Sequence, residues 1–355
     1  MQPLVTVYRG ELPESVHLGS IAVVDSAGKL LALAGDPDHQ TFLRSSAKPF
    51  QALPMLQEGG IEEFDLTLEE VALTCASHGG EPSHVGTVAS LLRKGEFDES
   101  DLLCGAHLPY DEKATAELRA TGEPPTALHN NCSGKHAGML LACSLLDAPV
   151  TSYLEPSHVV QIRAGQALAD FAGIPVGEIP YATDGCGLPS YHMSLYRAAL
   201  AYARFAATVQ SLPAPQGVPR YAESARDVWD AMTSHPHHVA GNWSMTTPLM
   251  EAFRGRLLAK EGAEGFYSMA LSSELCDTLP ETLDRTPGSA IGIAMKVADG
   301  SMGRGRNPAI LRTLELLGID LSGMRQLTPF RDGRITNAAG RHVGDVRSEF
   351  DLHYL

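Results

Sequence analysis

The run Ala290-Ile291-Gly292-Ile293-Ala294-Met295-Lys296-Val297 carries a single charge. It predicts a strand buried on both faces, because a half-buried strand would alternate polar and apolar residues. On its C-terminal side, residues 341–346 predict a further strand. Between the two, Ile310, Leu311, Leu314 and Leu317 fall on one helical face, and Gly318 closes that helix. The chain begins much as it ends. Residues 4–9, 20–24 and 30–33 predict a meander of three strands, with Asp25-Ser26-Ala27-Gly28 as the turn between the last two.

Between these ends the patterns are mostly helical. Val85, Val88, Leu91 and Leu92 share a face in a helix that Pro82 opens and Gly95 follows. Residues 136–146, 161–171 and 191–205 predict three more helices. Residues 71–74 read as a buried strand and 179–182 as a short β-like run, while 257–262 would pass for a helix end. The proline-rich residues 210–221 fit a surface loop within one domain better than a linker. Strands at both ends around a helical middle predict an α/β fold, an α+β sandwich forming a single domain over 1–355, its sheet completed by the two termini.

Composition narrows the function. A 355-residue chain with 44% hydrophobic and 19% charged residues is long and apolar enough for a sizeable core. Its net charge of −15, without a run of Lys or Arg, argues against nucleic acid as a partner. No apolar window approaches the length of a spanning helix, and the first residues lack a signal-peptide pattern, so neither a membrane nor export is expected. Cys75, Cys104, Cys132, Cys143, Cys186 and Cys276 are sparse and irregularly spaced, unlike a disulfide framework, which predicts a cytoplasmic protein. Only seven of the 27 basic residues are lysines. Lysine can lose its proton when buried and act as a base, which arginine effectively cannot.

Four stretches could carry chemistry. In Arg44-Ser45-Ser46-Ala47-Lys48 a helical turn would stack Ser45 over Lys48, so that the amine can take the hydroxyl proton. This requires a lysine kept largely neutral by burial or by a neighbouring positive charge. Pro49 behind it is tolerated only in a first turn. In Cys75-Ala76-Ser77-His78-Gly79-Gly80-Glu81 a serine precedes a glycine pair, where backbone can approach a substrate closely. His129-Asn130-Asn131-Cys132-Ser133-Gly134-Lys135-His136-Ala137-Gly138 opens an apolar helix, whose dipole favours a Cys132 thiolate. Thr183-Asp184-Gly185-Cys186-Gly187-Leu188-Pro189 frames a carboxylate and a thiol with glycines.

Other readings fail on spacing. Gly134-Lys135 lacks the first glycine of a phosphate-binding loop, and His136 stands where Ser or Thr is required. Neither G-x-S-x-G nor H-E-x-x-H occurs. His235-Pro236-His237-His238 reads as a solvated loop rather than a metal site.

Taken together and in this order, the segments R-S-S-A-K-P, S-H-G-G-E, H-N-N-C-S-G-K-H-A-G and T-D-G-C-G-L-P resemble the Rhizobium-type L-asparaginases, the asparaginase II family. The similarity extends over nearly the whole chain. It implies a serine β-lactamase/glutaminase-like fold and two Ser–Lys pairs, Ser45 with Lys48 and Ser77 with Lys260. It also implies a zinc ion held by Cys132, Lys135 and Cys186, and a homodimer. Arg44 suits the α-carboxylate of asparagine and Asp184 its α-ammonium, with His136 orienting the substrate or the zinc site.

The expected activity is hydrolysis of L-asparagine to L-aspartate and ammonia. Which serine is the nucleophile stays open, with Ser45 favoured. A cysteine amidase using Cys132 with His129 or His136 is the rival enzyme, and a catalytically silent amino-acid-binding protein is the rival of another class.

Overall fold

The apolar run near the C-terminus forms the strand Ile291–Val297, and its neighbours come from both ends of the chain. It pairs antiparallel with Leu12–Asp25, setting Gly19 opposite Val297 and Asp25 opposite Ile291. Its other edge pairs with Phe266–Leu271. Beyond Leu12–Asp25 lie Gln2–Arg9 and then His342–Ser348, paired antiparallel from Val5 and Ser348 to Arg9 and Gly344. One nine-stranded sheet therefore joins the two termini, as the strand patterns predicted. The computed structural model describes residues 1–212 and 217–355, so the middle of the predicted 210–221 loop lies outside the described residues.

By its internal contacts the chain divides into two units. The first comprises Met1–Ser46, His192–Ala214 and Ala259–Leu355 and holds most of the sheet. Ile21 to Val24 are all fully buried, as expected of a strand covered on both faces. The helix Leu195–Val209 packs on the sheet through small residues, with Ala198, Ala199, Ala203 and Ala206 buried. A Cβ on Gly292 would overlap the Ala199 carbonyl oxygen, so glycine at this position lets helix and strand backbones meet.

The second unit, Ala47–Tyr191 and Pro215–Leu258, is mainly helical. Its centre is the helix Ser133–Leu145, buried without a break from Ser133 to Cys143. A helix apolar on all sides can be stable only inside other helices, and here Leu68–Thr74 and Pro82–Lys94 pack against it. Gly134 and Gly138, one turn apart, face the C-terminal end of Leu68–Thr74. A Cβ on Gly134 would overlap the Leu73 carbonyl, and one on Gly138 would lie 2.8 Å from Thr74 Cγ2. These glycines bring Cys132 and Lys135 close to the chain that continues from Thr74 to Ser77.

Four expectations need correction. Residues 71–74 belong to the helix Leu68–Thr74, which starts at a reciprocal cap between Thr67 and Glu70. A short apolar run has no period by which to choose helix or strand. Leu257–Gly262 is a strand buried at every position, although Leu, Ala, Lys and Glu favour helix locally. Residues 191–194 are strand, and the helix begins at Leu195, where the Ser194 hydroxyl accepts from the Arg197 N–H. Pro236 opens a short helix, Pro236–Ala240, so His237 and His238 are helical rather than part of a solvated loop.

Candidate active site

In the first unit, Arg44–Ala47 is a 3-10 turn that runs into the helix Lys48–Gln51. Pro49 stands in the first turn of the helix, where its missing N–H costs nothing. Two bonds hold the turn: Ser46 Oγ donates to the Lys260 carbonyl at 2.7 Å, and Tyr202 Oη donates to the Ser46 carbonyl at 2.7 Å. Arg44 has φ of 50°, in the left-handed region that a long side chain rarely adopts. Such strain persists only where surrounding structure imposes it. Lys260 is fully buried in its strand, with Nζ donating to the Glu261 carbonyl at 3.2 Å.

In the second unit, Lys48 is fully buried and its Nζ reaches three acceptors. It donates to the Ala76 carbonyl, to Ser77 Oγ at 3.1 Å and to Cys132 Sγ at 3.3 Å. Burial lowers the pKa of this amine, and the Lys135 charge lowers it further against the pull of Cys132. The sequence paired Lys48 with Ser45; the hydrogen bond formed in this unit is with Ser77.

Ser77 leaves the Leu68–Thr74 helix in a loop tied at successive residues. Its N–H donates to the Val239 carbonyl at 2.8 Å, and the His78 N–H donates to the Asn131 carbonyl at 3.3 Å. His78 Nδ1 accepts from the Gly80 N–H, which leaves Nε2–H to donate to Ser133 Oγ at 2.9 Å. The residue types of the Ser77 motif give His78 no role of its own. It pins the serine loop to the first turn of the Ser133–Leu145 helix.

Cys132 is the residue before that helix, as predicted, and its N–H donates to Asn130 Oδ1 at 2.8 Å. Lys135 Nζ donates to Cys186 Sγ at 3.2 Å, and Cys132 and Cys186 lie close enough to perturb each other. Cys186 pushes the Cys132 pKa well down and Cys132 pushes the Cys186 pKa up. Lys48 and Lys135 also lower the Cys132 pKa, against burial. Burial alone would lower the Lys135 pKa, but Cys186, Cys132 and Asp184 outweigh it and hold the ammonium above its usual range. Asp184 is half-buried, its Oδ1 accepting from the Gly185 N–H at 2.6 Å.

Cys132, Cys186 and Lys135 therefore converge as two sulfurs and a nitrogen, a donor set suited to zinc. A second group, Glu81, His84 and His237, has ligand atoms within 4.8 Å of one another. There, however, His84 Nδ1 accepts from the Glu81 N–H while Nε2 donates to the His237 carbonyl. With both ring nitrogens engaged, this group knots Pro82–Lys94 to Pro236–Ala240 and has no His84 lone pair left for a metal.

His136 lies beside Lys135 and Lys48, whose charges lower its pKa after burial has done so. Its Nδ1 is 2.7 Å from Tyr153 Oη. Nothing in the sequence marked Tyr153, which stands outside every motif quoted.

Comparison with curated proteins gives no match. Among solved structures, Mglu in its native form is 16% identical, with a TM-score of 0.45 over 86% of this chain and 66% of that one. The same protein in 4.3 M NaCl is 17% identical, with a TM-score of 0.43 over 86% of this chain and 61% of that one. This chain thus spans less than two thirds of the length of Mglu. A Bacillus glutaminase is 14% identical, with a TM-score of 0.38 over 85% of this chain and 92% of that one. The L-asparaginase II family model matches residues 5–348, and the chain belongs to that family.

Proposed function

We propose that the chain is an amidohydrolase that converts L-asparagine to L-aspartate and ammonia by a Ser–Lys mechanism. The observation that carries this reading is Lys48, fully buried, its pKa lowered chiefly by burial, and hydrogen-bonded to the Ser77 hydroxyl. Such a lysine meets the requirement for a base acting on a serine. The reading takes 1–355 as a single catalytic domain of serine β-lactamase/glutaminase-like fold, acting as a cytoplasmic homodimer. The family supports a small amide substrate, and the six free, buried thiols support a reducing compartment. Among the described residues no helix is long and apolar enough to cross a membrane.

In the proposed reaction Arg44 binds the α-carboxylate and Asp184 the α-ammonium. Once Lys48 has given up a proton, its amine takes the Ser45 proton as Oγ attacks the side-chain amide carbon, and the Ser45 N–H helps hold the resulting oxyanion. The tetrahedral intermediate collapses as Lys48 returns the proton to the leaving nitrogen, releasing ammonia. Water then cleaves the acyl-enzyme to aspartate and frees Ser45. Ser77 and Lys260 form the second pair, and Ser77 lies close enough to Lys48 to relay its proton. Cys132, Lys135 and Cys186 would hold zinc, which when bound would supply a fixed positive charge for positioning the substrate. Lys135 must lose its proton to become a ligand, so zinc affinity falls steeply as pH drops, as chelator competition across pH will measure.

The test is ammonia release from asparagine, run beside glutamine and with and without chelator, by wild type, Ser45→Ala, Ser77→Ala and Cys132→Ser. Loss of about 10⁴-fold or more in Ser45→Ala, with Cys132→Ser still turning over, is the expected result. One methylene separates the two substrates, so a preference of about 10–200-fold is the scale to look for.

A second reading is supported by the depressed Cys132 pKa, which suits a thiolate nucleophile. The basic group hydrogen-bonded to Cys132 is Lys48, whose Nζ donates to its Sγ at 3.3 Å, rather than His129 or His136. Full activity in Ser45→Ala with none in folded Cys132→Ser would establish it. No ammonia from wild type under any condition would leave an amino-acid-binding protein.

A further inference from the structure

Tyr153 Oη has two neighbours. One is the Leu103 N–H at 2.9 Å, which can only donate. The other is His136 Nδ1 at 2.7 Å. The phenol proton therefore has Nδ1 as its acceptor, and an Nδ1 that accepts carries a lone pair. The imidazole proton must then sit on Nε2. His136 Nε2 is fully buried with no hydrogen-bond partner among the described residues. An unpaired buried donor is costly enough to call for an explanation. This one stands on the same helix as Lys135, close enough to Lys135 and Lys48 to feel both charges.

We infer that Tyr153 is a positioning residue, which locks His136 as the Nε2–H tautomer so that this N–H donates to a substrate oxygen. The relay runs Leu103 N–H to Tyr153 Oη, Tyr153 O–H to His136 Nδ1, and His136 Nε2–H to the ligand. The logic is that of a histidine whose free nitrogen is set by the bond its other nitrogen makes. The inference rests on the hydrolase reading for the identity of the ligand, an amino-acid substrate with its carboxylate or amide oxygen. The tautomer itself does not depend on that reading.

Two measurements test it. In ¹⁵N-histidine-labelled full-length protein, long-range ¹⁵N–¹H correlation should show His136 protonated on Nε2 and bare on Nδ1, assigned by the signal missing from His136→Gln. Tyr153→Phe should convert that signal to a mixture of tautomers. In steady-state kinetics with asparagine, Tyr153→Phe should raise KM by about tenfold, the scale of one hydrogen bond to a charged group, with kcat changed much less. In a His136→Gln background the amide donor no longer depends on Tyr153, so adding Tyr153→Phe should change KM by under about twofold, the non-additivity expected of coupled residues. A wild-type spectrum showing the Nδ1–H form overturns the inference, and does so even if Tyr153→Phe fails to fold. So does a full Tyr153→Phe effect in the His136→Gln background. If the wild type releases no ammonia from asparagine, the hydrolase reading falls, and the spectrum alone decides the tautomer.

Discussion

Two buried clusters of charged residues behave in opposite ways. In the first unit Arg306 Nη2 donates to Glu261 Oε2 at 3.0 Å, with both side chains under 5% exposed. Asn307 Oδ1 accepts two further bonds from the guanidinium, which also lies 5.1 Å from the Tyr267 ring centre. One cation faces one anion, and the pair holds structure together. In the second unit two ammonium groups, Lys48 and Lys135, share their surroundings with two thiols. There the pKa values are pulled apart, Lys48 and Cys132 down, Lys135 and Cys186 up. Burial of charge does not by itself mark chemistry. Buried groups whose pKa values are pulled apart mark a candidate for chemistry, because such an arrangement can poise one of them as a base or nucleophile. The other thiols make the same point: burial alone pushes Cys143 up to about 11, and burial is the main cause that takes Cys276 to about 12.

The contrast can be broken most forcefully at Lys48. Lys48→Met should lower kcat by about 10²–10⁴-fold, the contribution of a general base, as read by ammonia release. It should cost no more than about 2 kcal/mol of stability in a denaturant titration, since a desolvated amine is exchanged for an apolar chain of similar length. If it unfolds the protein instead, Lys48 belongs with Glu261 and Arg306 as a structural residue.

Glu261→Ala should do the reverse. It leaves Arg306 buried without its anion and should cost about 3–5 kcal/mol, seen as a lowered denaturation midpoint. Replacing both partners, as Glu261→Met with Arg306→Met, should recover most of that loss. Failure of the double variant to recover would mean that the pair does more than neutralise itself.

A third prediction concerns acid. Burial holds the His84 pKa down to about 4, against the hydrogen bond to the His237 carbonyl, which raises it. The unfolded chain takes up that proton near about pH 6.5, so it binds more protons than the folded chain between the two values. Stability therefore falls as pH drops from about 6.5 to 4, by on the order of 3 kcal/mol when complete. Urea titrations across this window should show the loss in wild type and a flatter profile in His84→Gln.

The smallest effect expected is at Gly134. Gly134→Ala meets the Leu73 carbonyl and should cost about 1–3 kcal/mol as the helix is forced away. Because the same helix carries Lys135 and starts beside Cys132, zinc binding at the proposed site should weaken with it. Unchanged zinc affinity at reduced stability would separate the packing role of this glycine from its role in the site.

The sequence was most informative where the signal is local or repeated. The strands at 4–9, 20–24 and 291–297 were legible because runs of apolar residues of strand length have few alternatives, and the sheet formed between the termini followed from them. The helix opening at Ser133 was legible from its glycines and its apolar continuation. Cys132, Lys135 and Cys186 were named from four motifs in order, and the structure brings those three side chains together.

What stayed hidden depends on packing between distant segments. Residues 71–74 and 257–262 were misread because burial and a single cap, rather than periodicity, decide such short runs. Lys48 meets Ser77 across 29 residues and Cys132 across 84, distances over which spacing carries no geometric information. Tyr153 reaches His136 across 17 residues from outside any motif. Residue types determined which chemistry was available here, a serine, an amine and a thiol pair. Only the tertiary structure decided which amine is buried beside which hydroxyl, because desolvation and hydrogen-bond partners, the causes of a shifted pKa, exist only once the chain is packed.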